Sequence, residues 1–191
     1  MEVYMSYGTA QALETKAVTL IESMEQFNVG SFDIIPFATF HDAAEPLGFL
    51  IKSRVDGDVL AFATDTVNLR YKFPGLNILA IEANYDKQML LHGPYPEHLK
   101  SRIQTERGHL DNKDTAQFIT EIYGEHLKYI FLCHLSNDNN TPEIARQTIC
   151  SALEAKGIKV GSAQENIEDR KADVQLMPLP RKEPTRWFVF K

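Results

Sequence analysis

The chain has 191 residues, 43% hydrophobic and 24% charged, enough to bury the core of one globular domain or a large part of a bigger one. Its net charge of −6 argues against a surface that coats nucleic acid by charge alone, but leaves open a nucleic-acid substrate held through a metal. The longest apolar runs fall far short of the ~20 residues of a membrane-spanning helix, and no basic stretch followed by an apolar one opens the chain, so neither a span nor a signal peptide is expected.

The first expected element is a helix over Thr9–Met24, where Ala10, Leu13, Ala17, Leu20, Ile21 and Met24 recur at helical spacing. Asp33–Phe40 and Gly48–Ser53 are rich in β-formers, and the turn Asp56-Gly57-Asp58 leads into a further strand. Phe32, Phe37, Phe40 and Phe62 read as core side chains. Asn77–Ala83 is a short apolar run that carries Glu82. Lys87–Leu91 and Glu97–Gln104 read as short helices on either side of the breaker Gly93-Pro94.

Asn112 is the expected cap of a helix with Ala116, Ile119, Ile122 and Tyr123 on one face. Tyr129–Cys133 reads as a buried strand. Thr141-Pro142-Glu143 is a helix start, with Thr at the cap and Pro at the first helical position, and that helix stops at Gly157. Gly161–Lys171 is polar and reads as a linker. Val174–Pro178 and Trp187–Phe190 are expected as one late hairpin or as edge strands. The organisation expected is thus a main domain over residues 1–157 and an extension over 158–191. Cys133 lies in an apolar run and Cys150 in a helical one, with no CxxC pattern. Both are expected as buried free thiols, which fits a reducing, cytoplasmic setting.

Three segments each place one metal-type ligand at the end of an apolar strand: IIPFATFHDAAEPLG, VLAFATDT and KYIFLCHLSNDNN. The ligands are His41, Asp65 and His134. Taken singly, each has an ordinary reading as a strand-end histidine, a turn aspartate or a core histidine bonded to a carbonyl. Taken together, they let a rigid sheet aim two imidazoles and a carboxylate at one point, as a divalent-metal hydrolase site requires. His109, in GHLDN, is read either as a capping or surface residue or as a group that hydrogen-bonds a scissile phosphate or protonates a leaving oxygen. Glu82 either orients that imidazole or, with Asn84, only ties loops together. Asp138, Asn139 and Asn140 read as turn residues, and His92, His98 and His126 as surface.

The segments FHDAAEPLGF, ATDT, LAIEANYD, MLLHGPYPEHLKSRI, RGHLDNKDTA and FLCHLSNDNNTPEIA, in this order, resemble the metallo-β-lactamase-fold hydrolases and among them the YycJ/WalJ-like branch. The resemblance runs from about Val3 to Gly157. It implies an α/β fold, a partial αββα sandwich with a mixed sheet flanked by helices. It matches His41 to the third-motif histidine, Asp65 to the metal-bridging aspartate and His134 to the last ligand histidine. It matches His109 to the histidine that assists phosphate chemistry, with Glu82 and Asn84 in the loop after the bridging aspartate. It further implies Zn2+ or Mn2+ in a two-metal site and a phosphoester or nucleic-acid substrate.

The chain departs from the pattern at Val67, Asp111 and Tyr85, and it contains no HxHxDH motif, which in this family supplies most of the ligands. The expectation is therefore the larger C-terminal part of the sandwich, with an incomplete site and a tendency to self-associate or to bind a complementary N-terminal fragment. The alternative is a non-catalytic module that reuses the fold.

Overall fold

A computed structural model of the chain describes residues 2–162 and 171–185. Its elements in order are β1 (Tyr4–Met5), α1 (Tyr7–Ala12), β2 (Thr19–Leu20), β3 (Phe27–Val29), β4 (Phe32–Ala38), β5 (Leu47–Ser53), β6 (Val59–Ala63) and β7 (Ile78–Glu82). There follow α2 (Lys87–His92), α3 (Glu97–Ile103), α4 (Asn112–Ile122), β8 (Tyr129–Cys133), α5 (Pro142–Glu154), β9 (Val160–Gly161) and β10 (Val174–Pro178).

Eight strands form one mixed sheet in the order β3-β4-β5-β6-β7-β8-β10-β9. The first four are antiparallel neighbours, and pairing is parallel from β6 to β9. β7, with the sequence ILAIE, is buried at all five positions, as a central parallel strand covered on both faces must be. One face of the sheet packs Leu79, Ile81, Ile130 and Leu132 against Ala116 and Ile119 of α4 and Ala145, Ile149 and Leu153 of α5. A smaller cluster of Ile78, Ala80, Phe131 and Cys133 lies on the other face. Both cysteines are free and buried, as expected from their surroundings.

Most expected strands and helices form within a residue or two of their sequence limits. α5 starts as expected, with the Thr141 hydroxyl accepting from the Ile144 N–H at 3.1 Å and Pro142 at the first helical position. The cap of α4 is displaced by one residue: Asp111 accepts from the N–H groups of Lys113 and Asp114, and Asn112 is the first helical residue.

Three expectations are corrected. The helix over Thr9–Met24 stops at Ala12, and the chain then forms the short strand β2. Glu14 and Met24 adopt left-handed φ values of 51° and 67°, which end the helical path, and Leu13, Leu20 and Met24 stay exposed. Of the four phenylalanines read as core, Phe37 is buried, whereas Phe32 and Phe62 are 44% and 38% exposed. In β6 the two-residue period turns Ala61 and Ala63 toward the helices and Phe62 away from them. Val174–Pro178 is not the edge strand of the sheet among the described residues. It lies between β8 and β9, parallel to both, with Val174 and Leu176 buried in the main core. The companion segment Trp187–Phe190 and most of the expected linker lie outside the described residues.

Candidate metal centre

β4 and β6 are each antiparallel to β5, and β7 and β8 are parallel to β6, so all four strands point the same way. Their C-terminal ends therefore share one sheet edge, where ligand sites of such sheets form. His41 follows β4, Asp65 follows β6, Glu82 ends β7 and His134 follows β8. His109 arrives from the turn that precedes α4. All five expected residues meet there: His41 Nε2 lies 3.8 Å and His134 Nδ1 3.7 Å from Asp65 Oδ1. The ring of His109 sits 5.0 Å from that of His41 and 5.2 Å from that of His134. His41, Asp65, His109 and His134 line a cleft of about 300 Å³ together with Tyr95 and Arg102, whereas Glu82, expected to border it, is buried behind the two imidazoles it holds.

Glu82 is the organising group. It is fully buried, and its two oxygens accept five hydrogen bonds. Oε1 accepts from the backbone N–H of Thr66 and Leu110 at 2.9 and 3.1 Å. Oε2 accepts from the Asp65 N–H at 3.2 Å, His109 Nδ1 at 3.1 Å and His134 Nδ1 at 3.0 Å. A carboxylate bridging two Nδ1 atoms fixes both imidazoles with Nδ1 protonated and leaves both Nε2 lone pairs for an ion or a proton.

Burial pushes the Glu82 carboxyl up, but the hydrogen bonds from His109, His134 and Thr66 outweigh it and hold the group below its ordinary range. The His134 imidazole is held above its ordinary value, first by its hydrogen bond to Glu82, with burial opposing and Asp65 adding to the rise.

These shifts set a pH dependence for the metal-free chain. The contribution of Glu82 is present above its unfolded value of about 4.3 and is lost as pH falls through its lowered folded value. The contribution of His134 is present below its unfolded value of about 6.5 and is lost as pH rises through its raised folded value. Urea melts of the metal-free chain are expected to show this pair stabilising most between roughly pH 4.5 and 6.5. His134→Gln should flatten the alkaline side of the profile, and an unchanged profile would show that the pair is not coupled.

Two of the candidate ligands hold costly backbone conformations: Asp65 at φ 53° and His134 at φ 51°. Left-handed backbone costs a non-glycine residue roughly 1–2 kcal/mol, less for aspartate. Both residues are at least 40% exposed on their side chains, so core packing does not account for the arrangement.

Gly108 permits the turn that delivers His109. A Cβ there would collide with the Ile103 carbonyl, and the His109 N–H donates to that same carbonyl at 3.1 Å. Gly108→Ala is expected to cost about 1–3 kcal/mol in a urea melt, because backbone rather than a flexible side chain must move.

A buried polar layer under the cleft escaped sequence reasoning. Asn140 Nδ2 donates to the carbonyls of Ala83 and Asn84 and to Asn112 Oδ1, and Asn84 Nδ2 donates to the His134 carbonyl at 2.8 Å. Asn112 and Asn140 are thus structural ties, and the one sequence signal is the polar run NDNN directly after an apolar strand. Also missed was the pair of Asp42 with Arg102, at 2.6 Å on the cleft rim, which holds the Asp42 carboxyl low through its hydrogen bond. His92, His98 and His126 are exposed, in line with their sequence surroundings.

The donor chemistry suits a borderline divalent ion. His41, Asp65 and His109 offer donor atoms all within 4.8 Å of one another, as do Glu82, His109 and His134. A 3.8 Å separation of an imidazole nitrogen from a carboxylate oxygen suits one ion about 2.0–2.2 Å from each. Glu82 fits such an ion poorly as a ligand, because both its oxygens are already saturated. Its geometry is that of a group that orients imidazoles.

The architecture matches that of YhfI from Bacillus subtilis, a metallo-β-lactamase-fold protein, with a TM-score of 0.61 at 12% identity over 93% of this chain and 61% of that one. The chain has the metallo-β-lactamase fold. No family model matches it. It is 39% identical over 140 residues to exodeoxyribonuclease YycJ of Bacillus anthracis, covering 71% of this chain and 52% of that protein. It is 32% identical over 174 residues to exodeoxyribonuclease WalJ of Streptococcus pneumoniae, covering 84% and 64%. The chain belongs to the YycJ/WalJ branch of the metallo-β-lactamase-fold hydrolases, and spans between half and two thirds of the length of these relatives.

Proposed function

We propose that this chain carries one wall of a divalent-metal centre, zinc or manganese, that hydrolyses phosphodiester bonds in DNA. The observation that carries this reading is the buried Glu82 carboxylate holding His109 and His134 by their Nδ1 atoms, beside Asp65 and His41 in one open cleft. In this reading His41, Asp65 and His134 are metal ligands. His109, when its ring carries both protons, donates through Nε2 to a phosphate or leaving oxygen, and Glu82, accepting from its Nδ1–H, fixes the orientation of that ring. When bound, the ion supplies Lewis-acid polarisation of the phosphate and activation of water. The relatives named as exodeoxyribonucleases support DNA as the substrate. The free cysteines support a cytoplasmic setting, and among the described residues no helix is long and apolar enough to cross a membrane.

The three ligands cannot complete two ions, and the sequence has no HxHxDH motif to add to them. We place the missing donors on a complementary segment or a second chain. Supporting this, β1 and β2 form a sheet of only two strands, which is marginal by itself, and Tyr7, Leu13, Leu20 and Met24 are exposed beside it.

The test mixes purified chain with a segment bearing HxHxDH and measures metal content and release of nucleotides from linear DNA, with and without chelator. Chelator-sensitive release, absent from the chain alone, is the expected result. Firm binding of two ions by the isolated chain would overturn the incomplete-site reading. No metal uptake and no release in any mixture would leave the non-catalytic module as the function.

A further inference from the structure

The loop Leu135–Asn139 begins directly after His134. Ser136 N–H donates to the Asn84 carbonyl at 2.7 Å, Asn139 N–H to the Ser136 hydroxyl at 3.2 Å, and Asp86 N–H to the Asn139 carbonyl at 2.8 Å. Tyr95, which lines the cleft, donates to Asp138 at 3.1 Å. None of these contacts grips the carbonyls of Leu135 and Ser136, the first two of the loop.

A residue remote in sequence does so. Arg181, past the end of β10, donates from Nε to the Leu135 carbonyl at 2.8 Å, from Nη2 to the Ser136 carbonyl and from Nη1 to Asn137 Oδ1. One guanidinium thus takes acceptors on three consecutive residues, a task for a planar fork with several fixed donors. It reaches them because β10 runs parallel to β8 and the Leu179 N–H extends that pairing to the Leu132 carbonyl at 2.8 Å. The tail therefore leaves the sheet beside β8, the strand that His134 follows. His134 itself sits at φ 51°, a conformation that needs its surroundings to hold it.

We propose that Arg181 is a positioning residue for the metal centre: it clamps the loop after β8 and so holds His134 in its left-handed conformation, aimed at the cleft. The part about metal rests on the function proposed above, and the part about the loop does not. Arg181 touches no reacting atom. It acts through the backbone of residues 135–137.

The test compares the full chain with Arg181→Ala and Arg181→Lys, using Lys182→Ala as control. Two readouts are taken: amide hydrogen exchange in the metal-free protein, and affinity for zinc alone by titration. In Arg181→Ala the Ser136, Asn139 and Asp86 amides are expected to exchange at least about tenfold faster, with strands β8 and β10 unchanged. Zinc affinity is expected to fall roughly 10- to 100-fold, the range for groups that orient a ligand. Arg181→Lys should recover only part of both, since an ammonium cannot reproduce the fork.

Unchanged loop exchange overturns the clamp. Loosening that includes β10 also overturns it, because the effect is then loss of the tail. A looser loop with unaltered zinc affinity overturns the positioning of His134. Where the parent chain takes up no zinc even with the HxHxDH-bearing segment added, the metal reading fails, and loop exchange alone upholds or overturns the clamp.

Discussion

Glu82→Ala is expected to lower the melting temperature of the chain by about 10 °C, corresponding to about 3–5 kcal/mol in a chain of this size. The carboxylate is fully buried and accepts from five donors. Its removal strands the N–H groups of Asp65, Thr66 and Leu110, each at about 1–3 kcal/mol when buried without an acceptor. It also leaves a gap in a packed layer. Glu82→Gln keeps the volume but turns an NH2 group toward donors, so its melting point is expected close to that of the alanine variant. In both variants His109 and His134 lose the group that sets their tautomer, and metal affinity falls with stability. A Glu82→Ala chain that melts within about 2 °C of the parent would show that the hydrogen-bond set is not what holds this sheet edge together.

Asp65→Gly is expected to separate function from stability. Its carboxylate is 41% exposed and makes only long contacts, 3.7 and 3.8 Å, to His134 and His41. Its backbone N–H, which the substitution keeps, makes the bond to Glu82. Glycine adopts φ 53° without the penalty of a Cβ, so stability should be unchanged or rise by up to about 1 kcal/mol. Affinity for zinc should fall by more than about 100-fold, since losing a ligand exceeds the effect of losing a group that merely orients one. His134→Ala should lose metal to the same degree without the gain in stability, because Glu82 then loses a donor. The comparison is made on purified chains by metal titration and urea melts side by side. If Asp65→Gly is destabilising and still binds metal like the parent, Asp65 is a structural turn residue and the ligand set is wrong.

Much of the site was legible because each candidate ligand follows an apolar run. Such runs become strands, and strands of one sheet running the same way bring their ends together. His41, Asp65 and His134 could be singled out on that ground, though they stand 24 and 69 residues apart. The convergence of His109 and Glu82 with them was readable only as an expectation from family resemblance. Nothing in GHLDN states that its imidazole reaches the end of a strand 27 residues earlier. The N-terminal helix was overextended because helical spacing of apolar residues persists through a segment whose backbone turns at Glu14. Periodicity records which side chains can share a face, and not whether a face exists to receive them.

Local chemistry alone was enough to locate β7, β8, α4 and α5: continuous apolar runs, a proline at a helix start and a threonine or aspartate to cap it act within a few residues. The strand order, the burial of Glu82 and the placement of Val174–Pro178 beside β8 were decided by tertiary packing. So was the reach of Arg181 to the loop after His134. These depend on contacts between residues from 17 to 52 positions apart, where the chain between them carries no record of the pairing. Their free energy comes from hydrogen bonds and burial that exist only once the sheet has closed the distance.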